Sequence, residues 1–225
     1  MKTLIIKTSI ALVGAGGLGL AAHQSYKALT SQDTSAAKNK NDNSKKNKDK
    51  LNEDKYEVLG FESTNDQKWT NILSSYRTVT SKQESLKFNN LTGSESDAKE
   101  RLQRICSDAL NSENVNDYEK IKKWCVVPID ISSLLTKRSF VILKTDNNVS
   151  SDNSSWEKKI KNYKKLDTDT LKIDGLSLTN NKEQAETSDY TNIKNKCNEI
   201  KTKKSHEENF EDLLKKFKTW CADKN

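Results

Sequence analysis

Apolar residues in this chain recur at helical spacing in short runs, and the runs come in two matching sets. Trp69, Ile72, Leu73 and Tyr76 fall at i, i+3, i+4 and i+7, which places them on one face of a helix. Trp156, Ile160 and Tyr163 repeat that face, with Ser154 and Glu157 spaced as a capping box at its start. Ala98, Leu102, Ile105, Ala109 and Leu110 trace a second stripe with Cys106 at its edge, matched by Tyr190, Ile193, Cys197 and Ile200. A third stripe runs Tyr118, Ile121 and Trp124-Cys125, with Pro128 beyond its end. Its counterpart is Phe210, Leu213, Leu214, Phe217 and Trp220-Cys221, preceded by Ser205 and Glu208 as a second capping-box spacing. Val126 to Asp130 and Ser139 to Leu143 are the β-like stretches, expected to form a short hairpin or an extended crossover.

The matching sets define a degenerate repeat. Trp, Cys and Trp-Cys recur at offsets of 87, 91 and 96 residues, a drift that loop insertions produce. The pattern predicts a mainly α protein: two three-helix repeats, at residues 56–128 and 151–225, joined by a connector over 129–150. The aromatic residues Trp69, Tyr76, Trp124, Trp156, Tyr163 and Trp220 are read as the core of each small repeat, because such rings bury a large area.

Upstream, the pattern changes twice. Leu4 to Ala22 is almost wholly apolar or small, and nineteen helical residues at about 1.5 Å each span about 28 Å, near the hydrocarbon thickness of a bilayer. Residues 1–29 are therefore read as an uncleaved membrane anchor or a signal segment, with Lys2 and Lys7 as its positive flank. Gly14-Ala15-Gly16-Gly17-Leu18-Gly19 matches a dinucleotide-binding loop in spelling. It lacks the second strand that such a site needs, and small residues are common in membrane helices. Residues 30–55 are Ser, Asn, Asp, Lys, Gln and Ala with only Leu51 of any hydrophobic size, a composition expected to form a disordered tether.

Composition bears on partners. The chain is 32% hydrophobic and 32% charged with a net charge of +7. The excess sits in the anchor and the Lys-rich stretch 38–50, so the folded part is close to balanced and offers no clustered basic groove for nucleic acid. Four cysteines allow three pairings. The repeat selects Cys106 with Cys125 and Cys197 with Cys221, which would close loops of 19 and 24 residues; buried thiols are the alternative. No C-x-x-C occurs and the histidines are His23 and His206, so zinc is not expected. No paired carboxylates at a motif spacing, His pair or cofactor loop stands out. No catalytic, cofactor or metal residue is therefore assigned.

The Met1-Lys2 start with its apolar Gly14-Ala15-Gly16-Gly17 run, the Trp69 to Tyr76 element, Trp124-Cys125-Val126-Val127-Pro128, the Trp156 to Tyr163 element and the terminal Trp220-Cys221 together resemble the large paralogous families of uncharacterised proteins in haemotropic mycoplasmas. The resemblance implies a wall-less, erythrocyte-attached bacterium and a multigene family for which surface display and antigenic variation are the usual conjecture; it brings no catalytic residues. The expected function is a single-pass membrane protein, anchored through residues 4–22, that displays a helical ectodomain to a host surface protein. A secreted form is the alternative location. The alternative functions are a cytoplasm-facing membrane scaffold and, third, an enzyme whose site is assembled from distant positions.

Overall fold

Each apolar stripe folds as a helix, and each packs mainly within its own copy of the repeat. The computed structural model describes residues 45–224. In the first copy α1 (Asn47–Glu53) leads through extended residues to α2 (Asp66–Thr80), α3 (Ala98–Asn111) and α4 (Tyr118–Trp124). In the second, α5 (Ile131–Lys137) and β1 (Phe140–Ile142) lead to α6 (Asn153–Lys164), α7 (Thr187–Ile200), α8 (Phe210–Trp220) and β2 (Ala222–Lys224). The described residues of both copies belong to one compact unit.

The repeat is longer than its aromatic signature. Leu51 and Leu135 are both fully buried. Lys55 and Ser139, four residues further on, both take left-handed backbone, at φ 66° and 63°. This is the reversal that ends a short helix: the Lys55 amide donates to the Asn52 carbonyl (3.1 Å) and the Ser139 amide to Thr136 (3.0 Å). The chain then runs extended in both copies. The Leu59 amide donates to the Cys125 carbonyl and the Leu143 amide to the Cys221 carbonyl, each at 3.0 Å. The added helix starts from a matched bond too, since the Asn47 amide donates to Ser112 (2.9 Å) and the Ile131 amide to Lys203 (3.1 Å).

Three expectations are corrected by this. The tether expected over 30–55 gives way to α1 from Asn47, because its one large apolar residue, Leu51, is buried as α1 packs against α3 and α4. The connector expected over 129–150 is instead the opening helix and strand of the second copy. The two β-like stretches do not pair with each other. Val126 bridges to Val58, while β1 pairs antiparallel with β2 in the register Phe140 to Lys224, Val141 to Asp223 and Ile142 to Ala222. Each copy thus closes its own ends. The anchor expected over 1–29 lies outside the described residues, and among the described residues no helix is long and apolar enough to cross a membrane.

The core follows the stripes. Trp69, Ile72, Leu73, Tyr76, Leu102, Cys106, Ile121 and Trp124 are buried in the first copy, and Trp156, Ile160, Tyr163, Ile193, Cys197, Phe217 and Trp220 in the second. Ile105, Ala109 and Tyr190 are only partly covered. At the centre of each copy the tryptophan ending the last helix meets the tyrosine of the first long helix edge to face. Trp124 lies 5.1 Å from Tyr76 at 66°, and Trp220 lies 5.1 Å from Tyr163 at 76°. Neither expected capping box forms: Ser154 lies inside α6, and Asn209, in left-handed backbone, precedes α8. The box that does form is Glu186 with Asp189 at the start of α7.

Truncating either central ring should be costly. Trp124→Ala and Trp220→Ala are each expected to destabilise the fold by about 3–5 kcal/mol. Exposed Phe61→Ala should cost under about 1 kcal/mol. Urea unfolding at neutral pH checks the contrast.

Candidate functional site

The side chains read as framework do more than fill the core: their polar ends hold the long loops, and they hold them by the backbone. In the first copy the loop between α2 and α3 spans residues 81–97. The Trp124 indole N–H donates to the Leu86 carbonyl (2.8 Å), and the Tyr76 hydroxyl donates to Leu91 (3.0 Å) while accepting from the Phe88 amide (2.9 Å). Arg77 donates to the Gly93 carbonyl. The second copy repeats this over its loop 165–186. Trp220 donates to Leu171 (2.7 Å), and the Tyr163 hydroxyl accepts from the Ile173 amide (2.9 Å). The remaining tryptophans do the same nearer the strands, Trp69 to Gly60 (2.9 Å) and Trp156 to Lys144 (3.2 Å). Every residue carries a backbone carbonyl, so these bonds do not select the loop side chains. Gly93 is an exception to that freedom, since its φ is +84° and a Cβ there would lie 2.9 Å from the Arg77 side chain.

The second loop has an ionic anchor as well. Lys164 follows Tyr163 as Arg77 follows Tyr76. Its ammonium pairs with Asp189 (2.6 Å) and donates to Thr179 Oγ1 and to the Asn181 and Gln184 carbonyls. Both side chains are almost wholly buried. Burial alone would raise the Asp189 carboxyl; the Lys164 ammonium and the Thr179 and Glu186 amides outweigh it and hold the group below its ordinary value. A buried pair of this kind is tolerable only with every oxygen and proton engaged.

Between the copies lies a seam built around Lys123. This residue is 7% exposed and donates to the Glu207 carbonyl (2.6 Å) and the Ser205 carbonyl (3.4 Å), so its ammonium enters the segment ahead of α8. Burial pushes it down to about 8, with Glu211 and Glu207 pulling the other way. His206 lies beside it, held below its ordinary value by burial, and its Nδ1 has no partner among the described residues. Arg138 crosses the seam to the Asp54 carbonyl (2.9 Å) and lies over the Tyr56 ring. The exposed ion pair Lys82–Glu208 (2.8 Å), of a kind that contributes little, and the half-buried pair Lys122–Glu211 (3.2 Å) rim it.

All four cysteines are paired, Cys106 with Cys125 and Cys197 with Cys221, at Cα separations of 5.4 and 5.8 Å. No thiol is therefore left for His206 to activate. The six aromatic residues assigned to the core are all buried. Lys123, Lys164 and Asp189 were not read from the sequence as site residues. A lysine in a run such as Lys120 to Lys123 looks like a solvated face, and only its position beside Trp124-Cys125 marks it. Among the described residues no three His, Cys, Asp or Glu side chains are grouped to hold a metal ion. No family model, curated protein or solved structure matches the chain.

Two outcomes are expected. Because Lys123 binds its proton more weakly folded, at about 8, than unfolded, at 10.5, the unfolded state holds more protons between these values and stability rises with pH there. Below about pH 8 the cost of the buried charge is fully present. In Lys123→Met that rise should flatten, measured as urea unfolding free energy from pH 8 to 10. Asp189→Asn, which leaves the Lys164 charge unpaired, should cost about 3–5 kcal/mol at neutral pH by the same assay.

Proposed function

We propose that the chain is a membrane-anchored surface protein whose two-copy helical ectodomain displays its long loops for host interaction or antigenic variation, without catalysis. The observation that carries this reading is the backbone-directed anchoring of residues 81–97 and 165–186. A scaffold that grips peptide groups keeps its shape while the exposed loop side chains change, which is the physical requirement for presenting variable surfaces. Three further features support it. The apolar run Leu4 to Ala22 has the length of a membrane anchor. The paired cysteines suit an oxidising side of the membrane. The Trp-Cys pattern resembles the paralogous families of haemotropic mycoplasmas.

Two measurements test the reading. Replacing the exposed loop residues Ser85, Asn89 and Ser96 together with Asp167, Thr168, Thr170 and Asn180 should change unfolding free energy by less than about 2 kcal/mol. Loss of cooperative unfolding would remove the basis for display. Intact cells should then be treated with a membrane-impermeant lysine reagent, followed by immediate alkylation and peptide mapping. Label on ectodomain lysines with linked Cys106–Cys125 and Cys197–Cys221 peptides is the expected result. Protected lysines with four free thiols would favour the cytoplasm-facing scaffold instead.

A further inference from the structure

At the outer end of the first copy, where α1 meets the end of α3, lies a cavity of about 300 Å³ lined by Asn47, Ile105, Asp108, Ala109, Ser112, Asn114 and Asp117. Both of its charged side chains are acidic. Asp117 is engaged by Lys120 at one carboxylate oxygen (2.7 Å), and Asp108 is exposed. Asn47 is fully buried, and its Nδ2 donates to the carbonyls of Ala109 (3.0 Å) and Asn114 (2.9 Å), which fixes the amide orientation. Its Oδ1 is buried and accepts no hydrogen bond among the described residues. A buried acceptor left open costs about 1–3 kcal/mol, and a donor that reaches it as the lining yields recovers that cost. Ile105 and Ala109, the apolar members of the lining, are only partly covered.

We infer that this cavity binds the primary ammonium of a lysine side chain presented by a partner protein. Apart from Lys120, which holds one Asp117 oxygen, no charged donor meets these acceptors, so the lining calls for a cation, and the partly exposed Ile105 and Ala109 suit an alkyl stem. Two carboxylates fall short of the oxygen-rich cage that a calcium ion takes. The fold already contains one such event. The segment ahead of α8 takes the Lys123 ammonium on its Ser205 and Glu207 carbonyls. By the matched docking of Asn47 to Ser112 and Ile131 to Lys203, residues 112–117 are the counterpart of that segment. This inference deepens the binding-module reading by naming the partner chemistry, and it rests on that reading.

The test uses the full chain in detergent micelles with Nα-acetyl-lysine N-methylamide as the probe and its Nε-acetylated form as the uncharged control. Amide and side-chain resonances of Asn47, Ile105, Asp108, Ala109 and Ser112 should shift and saturate in the millimolar range, equivalent to about 4 kcal/mol. The acetylated control should leave them unmoved. Asp108→Asn, an exposed change, should weaken binding about fivefold or more, while Glu100→Gln on the same helix should leave it unchanged. Equal shifts from both probes, or none at these residues, would overturn the inference. Calcium chloride shifting the same resonances at lower concentration than the lysine probe would overturn it too, in favour of a hard-cation site. A failed titration beside intact folding of the loop-substituted protein would remove this site alone and leave the display reading standing.

Discussion

The contact on which each copy depends is the edge-to-face meeting of one tryptophan with one tyrosine. Trp124 on Tyr76, and Trp220 on Tyr163, join the last helix of a copy to its first long one. The adjoining Cys125 and Cys221 tie the same chain end to the middle helix. Three helices are thereby fixed by two adjacent residues, Trp and Cys. The ring contact is worth about 0.5–1.5 kcal/mol beyond its burial, and the chain-entropy effect of each disulfide about 3 kcal/mol. Copies of under 100 residues with few large apolar groups need such concentration, because their cores are thin. The polar ends of the same rings then organise what lies outside the core. One indole and one phenol in each copy reach the loop that the helices leave uncovered.

The copies diverge where the loop is longest. Copy one has 17 residues between its first two long helices and copy two has 22. In copy one, buried Phe88 and Leu91 plug the loop into the core, and Arg77 needs only the Gly93 carbonyl. In copy two, Ile173 is the one loop residue buried, Leu176 and Leu178 are only partly covered, and the chain is polar from Asn180 to Gln184. The Lys164–Asp189 pair takes over there, gathering two carbonyls and two amides around a buried charge. Where apolar side chains run out, hydrogen bonding to ions holds the longer excursion.

The stripes that repeated at helical spacing became helices, and the cysteine pairing followed from the repeat, because both are set by local periodicity and matched offsets. The limits of the repeat were not legible. Leu51 is a single leucine in a Lys/Asn run, while Ile131, Leu134 and Leu135 do stand at helical spacing but over only seven residues, too short a run to separate a helix from a connector, and both helices dock through contacts distant in sequence. A composition average over residues 30–55 cannot see one buried side chain. Strand pairing failed for a related reason. Val126 and β1 look like neighbours along the chain, yet each pairs with the opposite end of its own copy. The loop anchors and the seam were hidden because their chemistry resides in lysines and backbone carbonyls, and neither gives a periodic signal.

The two copies also differ at the seam residue itself. Counting back from the shared Trp-Cys pair, Thr219 occupies in copy two the place of Lys123 in copy one. A threonine cannot reach across to the carbonyls ahead of another copy's last helix as Lys123 reaches Ser205 and Glu207. Copy two instead satisfies its own end: Lys159 of α6 donates to the carbonyls of Thr219 (2.9 Å) and Ala222 (2.6 Å) and pairs with Asp223 (2.9 Å). With threonine in place of the strut lysine and Lys159 engaging these carbonyls, the end of α8 is satisfied from within its own copy.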